Sequence, residues 1–123
     1  MKNVALDRIV DKIVALGVPG LVLVVAMAVT GYAGAAALTA ALAALGGPLG
    51  MLGGLGLLGL LALISKALSE VGLKILFKRV LKGLLDKGHS IEEVKEKIDG
   101  YWFVSASLKV ELKRYLKAWG GQD

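Results

Sequence analysis

IVALGVPGLVLVVAMAVTGYAGAAALTAALAALGGPLGMLGGLGLLGLLALIS, residues 13–65, contains no charged side chain and no histidine. A run of this length, rich in Leu, Ala, Val and Gly, is satisfied more cheaply by lipid or by a protein-lined apolar interior than by water. Two turn signals divide it. Gly17, Pro19 and Gly20 precede one long segment, and Gly46-Gly47-Pro48 separates that segment from the next. Proline disfavours helical geometry in the residue before it, and glycine adds conformational freedom.

The first segment, residues 21–45, reads as a helix of about 37 Å, long enough to cross a hydrocarbon layer of about 30 Å with some tilt. Gly31, Ala35, Thr39, Ala43 and Gly47 recur every fourth residue and draw a ridge of small side chains along one side. Leu38, Leu42, Leu45 and Leu49 mark another. Small ridges let helix backbones approach closely, and the hydroxyls of Thr30 and Thr39 can return to the preceding turn. The second segment, residues 49–65, reads as about 25 Å of helix, extended if Lys66 snorkels. It carries Gly50, Gly53, Gly54, Gly56 and Gly59. Each glycine costs a water-exposed helix about 0.8–1 kcal/mol relative to alanine, which favours lipid or tight burial here. The predicted helix-packing and oligomer face is therefore Gly31, Ala35, Thr39, Ala43, Gly46, Gly50, Gly53 and Gly54.

The flanks are amphipathic. Asn3 is the expected N-cap of a short helix with Leu6, Ile9, Val10, Ile13 and Val14 on one face and Asp7, Arg8, Asp11 and Lys12 on the other. It suits either packing in a small bundle or lying in a membrane interface. Asp7 and Asp11 and the length of the apolar run argue against a cleavable signal peptide. After Ser65 charge returns with no evident helix break. Glu70, Lys74, Lys78 and Lys82 form a stripe, and Lys66, Lys74, Lys78, Arg79 and Lys82 form a basic group suited to lipid headgroups or to anchoring at the membrane edge.

Gly88 closes that helix, and Ser90-Ile91-Glu92-Glu93 reads as a capping box opening a short one that ends near Asp99-Gly100. An aromatic stretch, Tyr101-Trp102-Phe103-Val104, leads to Ser105 or Ser107 as the cap of a last helix bearing Leu108, Leu112, Tyr115, Leu116 and Trp119. Trp102 and Trp119 suit the core or edge of this helical tail, and also a membrane interface, where tryptophan is enriched.

Composition agrees with this reading. Apolar residues make up 56% of the 123, and 17 glycines come in addition, against roughly 45–50% for both together in ordinary soluble domains. The net charge of +5 has its excess just after the apolar run, while residues 86–123 carry seven residues of each sign. With no cysteine there is no disulfide framework and no thiolate metal site. His89 is the single histidine, placed in a turn, and Glu92, Glu93, Glu96 and Asp99 alternate with lysines as a solvated face. The glycine run lacks the GxxxxGK[ST] continuation of a phosphate loop. No reactive constellation emerges, so neither enzyme activity, cofactor, metal nor small-molecule substrate is expected. Nucleic-acid binding is not expected either, for want of a motif or of aromatics interleaved with the basic group.

The expected architecture is all-α with about five helices: a membrane helical hairpin flanked by amphipathic helices. Its divisions are residues 1–17 (amphipathic lead), 18–87 (apolar hairpin continuing into the basic helix) and 88–123 (helical tail). The Ala/Gly/Leu make-up of residues 21–65 is similar to the buried apolar hairpin of colicin-type pore-forming domains. That resemblance implies a hairpin wrapped by amphipathic helices and released at a membrane. This chain offers few helices for wrapping, so a homo-oligomer is expected to share the task. The expected function is an integral membrane protein that self-associates and permeabilises or remodels a lipid bilayer, with both termini cytoplasmic by the positive-inside tendency. The alternative is a non-catalytic structural or adaptor protein that buries the hairpin in protein contacts.

Overall fold

The computed structural model describes residues 4–44 and 47–121, and for residues 4, 47–55 and 57 the backbone alone. The protein is all-α. Five helices follow in order: α1 Val4–Ala15, α2 Val18–Ala44, α3 Gly47–Asp86, α4 Ile91–Gly100 and α5 Ala106–Trp119.

Helix α1 buries Leu6, Ile9, Ile13 and Val14 and turns Arg8, Asp11 and Lys12 to solvent, as its spacing predicts. The expected cap, Asn3, lies outside the described residues. The helix ends through hydrogen bonds from the Leu16 amide to the Ile13 carbonyl (3.1 Å) and from the Gly17 amide to Val14 (2.9 Å), with Gly17 left-handed at φ 78. Pro19 and Gly20, predicted as part of the break, lie instead in the first turn of α2. Proline is tolerated there because the amide it lacks would have no partner inside the helix. A Cβ on Gly20 would overlap the Ile13 carbonyl, so this glycine lets α1 and α2 cross in direct backbone contact.

Helix α2 has two arms, because Gly31 takes φ 79, ψ −173. The earlier arm is buried without interruption from Gly20 through Met27, all round its circumference. It is the centre of the protein. The later arm buries only Ala35, Leu38, Thr39 and Leu42, the spacing of a surface helix with one face inward.

Helix α3 runs from Gly47 to Asp86, in keeping with the absence of a break after Ser65, but Gly72 inside it is left-handed at φ 83. Before Gly72 it buries Leu60, Leu61, Ile64 and Ala67, and after it Leu76, Phe77, Val80, Leu81 and Leu84. The α2–α3 interface is the most extensive in the fold, and α1 lies along α3. Gly83 makes that contact close: a Cβ there would come within 2.6 Å of a Val14 methyl.

Gly88, left-handed at φ 102, ends α3 in a Schellman arrangement, with the His89 amide bonded to Leu84 (3.1 Å) and the Gly88 amide to Leu85 (3.0 Å). The predicted cap of α4 is present, since Ser90 Oγ accepts from the Glu93 amide at 3.0 Å. The Glu93 carboxylate pairs with His89 and Lys97. Of the two predicted caps for α5, Ser105 serves, its Oγ accepting from the Leu108 amide at 3.2 Å. Val94 and Ile98 of α4 and Leu108, Leu112 and Leu116 of α5 join a single apolar core with α1, α2 and α3. Tyr115 and Trp119 stack in parallel, centroids 4.5 Å apart, and both meet Phe77 edge-on.

Candidate functional site

One helix among the described residues, α2, is long and apolar enough to cross a membrane, and half of its most apolar window is buried inside the protein. Its two arms divide that property. Val18 to Met27 is enclosed by the protein's own core, apart from the half-buried Pro19. Residues 28–33 are all exposed, and none is charged. Val29 is 47% and Tyr32 45% accessible, high values for large apolar or aromatic side chains. Beyond the Gly31 bend the outward positions are Ala37, Ala40 and Ala44, and on the neighbouring stretch of α3 Gly56, Leu58, Gly59, Ala62 and Ser65 also face outward. A water-facing helix surface ordinarily carries charged side chains at a good fraction of such positions.

Three hydroxyl groups of this region are bonded internally. Thr30 Oγ1 donates to the Ala26 carbonyl and Thr39 Oγ1 to the Ala35 carbonyl, each at 2.6 Å, the predicted return to the preceding turn. Tyr32 Oη donates to the Leu58 carbonyl at 3.2 Å and ties the exposed part of α2 to α3.

The small-residue ridge is not a free face. Ala35 and Thr39 are buried within the protein and Ala43 is half-buried. Gly31 occupies the bend, which breaks the four-residue repeat on which the ridge depends. Gly46 lies outside the described residues, and Gly50, Gly53 and Gly54 are described only as helical backbone. The basic group divides similarly. Arg79 pairs with Asp7 across α1 and α3 (3.2 Å), and Lys82 pairs with Asp86 (3.4 Å). Lys66 and Lys74 are exposed and Lys78 half-buried, and among the described residues these three make no ion pair. Gly72 also offsets Glu70 from Lys74, Lys78 and Lys82, so the predicted stripe is not one straight row.

His89, read from sequence as a polar turn residue, is largely buried and lies 3.0 Å from Glu93 through Nδ1. That contact, with Lys97 behind it, holds the Glu93 carboxyl below its ordinary range. Asp99 is depressed similarly by the Lys113 ammonium at 2.8 Å. Both carboxylates fasten α4, one to its own start and one to α5. Burial raises the Tyr101 phenol.

Sequence reasoning left the two tryptophans alike, whereas the fold separates them. Trp119 packs on Phe77 and Tyr115. Trp102, in the α4–α5 loop, is 77% accessible.

Compared with protein families, curated proteins and solved structures, the chain has no match. Over the described residues it is an all-α protein of five helices, one of which is long and apolar enough to cross a membrane.

Proposed function

We propose that the protein works at a lipid bilayer, as a non-catalytic helical protein that inserts its uncharged α2–α3 surface, self-associates there, and permeabilises or remodels the membrane. The observation that supports this reading is the exposure of residues 28–33 in the middle of α2, the one helix among the described residues long and apolar enough to cross a membrane. The side chains of this surface offer water few groups to bond, and transferring their apolar area to hydrocarbon is favourable. The colicin-like arrangement, an apolar helix sheltered by amphipathic ones, is consistent with the enclosure of the earlier arm of α2 by α1, α3, α4 and α5.

In this reading Lys66, Lys74 and Lys78 meet anionic headgroups, each contributing about 1 kcal/mol near such a surface. Both termini remain on the cytoplasmic side with the charged helices. Oligomer contacts then use exposed positions of α2 and α3 in place of Ala35 and Thr39. A pore, where one forms, is lined by Thr30, Tyr32 and backbone carbonyl groups.

The experiment is flotation with vesicles containing anionic lipid, paired with size measurement in the presence and absence of detergent. Co-flotation and a detergent-dependent size are expected. A discrete species that stays in the aqueous fraction without detergent, and does not float, overturns the proposal. Dye release from the same vesicles separates permeabilisation from anchoring. The second reading, a water-soluble structural or adaptor assembly, is favoured by the burial of the earlier arm in the protein's own core, and it predicts that aqueous species.

A further inference from the structure

The two longest charge-free runs of the sequence, residues 13–65 and 100–108, meet in space. Phe103, Val104 and Leu108 line one side of a shallow groove whose other side is formed by Ala26, Thr30 and Ala37 of α2. Its volume, about 250 Å³, is below the roughly 300–1,000 Å³ of typical ligand pockets, so it is a seam between two surfaces and not a ligand site. The charges that adjoin the loop are paired at its base. Lys113 pairs with Asp99 at 2.8 Å, and Lys109 donates to the Asp99 carbonyl at 2.9 Å. What remains outward is Trp102 with Ser105, Ala106 and Ser107 on the loop side, and the uncharged residues 28–33 on the α2 side.

We propose that this charge-free side is a bilayer-docking surface and that Trp102 is its interfacial anchor. The proposal rests on the membrane reading given above and adds the place of first contact. The occupant is the interfacial layer of a lipid bilayer, because the surface combines an indole, four hydroxyl side chains and apolar residues without a charge. Indole has an apolar body and one N–H donor, the combination that concentrates tryptophan where acyl chains meet headgroups. Phe103 supports the anchor: its ring lies edge-on to Trp102 at 5.6 Å and stacks on Tyr101 at 5.2 Å, which fixes the base of the loop while leaving the indole free.

The test uses the full chain carrying Trp119→Phe, so that Trp102 is the sole indole, mixed with vesicles of zwitterionic and anionic lipid. A blue-shifted emission and quenching by lipids brominated along the acyl chain are expected. Trp102→Ala should keep its helix content and bind the vesicles about tenfold more weakly, the scale of one partly buried aromatic side chain. Vesicle binding with unmoved Trp102 emission overturns the anchor and leaves the membrane reading standing. Failure to bind vesicles at all overturns both. An emission shift that follows protein concentration without lipid assigns the surface to a second copy, and also overturns the anchor. Should Trp119→Phe unfold, the wild-type chain gives the same result by difference against Trp102→Ala.

Discussion

The two arms of α2 share a complete lack of charge, yet one is the centre of the protein and the other lies on its surface. Before Gly31 every position from Gly20 to Met27 is enclosed, and Val, Leu and Met supply the bulk that fills a core. After Gly31 alanine predominates, and burial falls to Ala35, Leu38, Thr39 and Leu42. Absence of charge therefore does not set the location. Side-chain volume does, because a helix surrounded by four others must fill the space around it at the density of a protein interior.

The same charge placed in each arm should have opposite consequences. Val24→Asp puts an unpaired carboxylate where the wild-type side chain is wholly enclosed, and should prevent folding or cost more than about 4 kcal/mol in urea denaturation. Ala37→Asp, on the outward face of the later arm, should change stability by less than about 0.5 kcal/mol while sharply weakening vesicle flotation. Equal stability losses in the two variants would show that the arms are not distinct. The next largest effect is expected at Gly83→Leu, which forces Val14 away and should cost about 1–3 kcal/mol, read from the urea midpoint.

Gly31→Ala distinguishes a bent α2 from a straight one by the sign of the change. With Gly31 left-handed, alanine should cost about 1–2 kcal/mol in thermal denaturation. In a straight helix the same replacement would stabilise by about 1 kcal/mol. The smallest effect concerns pH. Glu93 and Asp99 are held below their ordinary values of 4.5 and 3.8. Their contribution is therefore present at neutral pH and is lost as pH falls from about 4.5 through the depressed folded values. Near-UV circular dichroism of the Tyr115–Trp119 pair should loosen over that acid range. Asp99→Asn should blunt the change, and raising the pH from 5 to 9 should leave the Asp99 contribution unaltered.

Most of the helical layout was legible because its signals are local. Ser90 three residues before Glu93, Gly88 after the last apolar pair of α3, and the four-residue spacing of Leu108, Leu112 and Leu116 each act within one or two turns. The bends at Gly31 and Gly72 were not, since glycine within an apolar run has the same letter whether its φ is −60 or +80. The fate of the small-residue ridge was hidden for the same reason. Ala35 and Thr39 suit a partner helix of another copy or of the same chain, and composition carries no information on which is present. The exposure of Trp102 depends on how α4 and α5 meet through Asp99 and Lys113, a contact between distant positions that no periodicity reports.

The bend at Gly31 also acts as a depth gauge. A residue at φ 79, ψ −173 cannot carry the regular helical hydrogen-bond ladder through itself, and a peptide group left without a partner there can be solvated only while the bend is exposed. In hydrocarbon such a group would cost several kcal/mol. As folded, the helix can therefore enter a bilayer only as far as headgroups and water still reach Gly31. Deeper passage requires this one residue to rotate into register with its neighbours, and glycine is the side chain that resists such a rotation least.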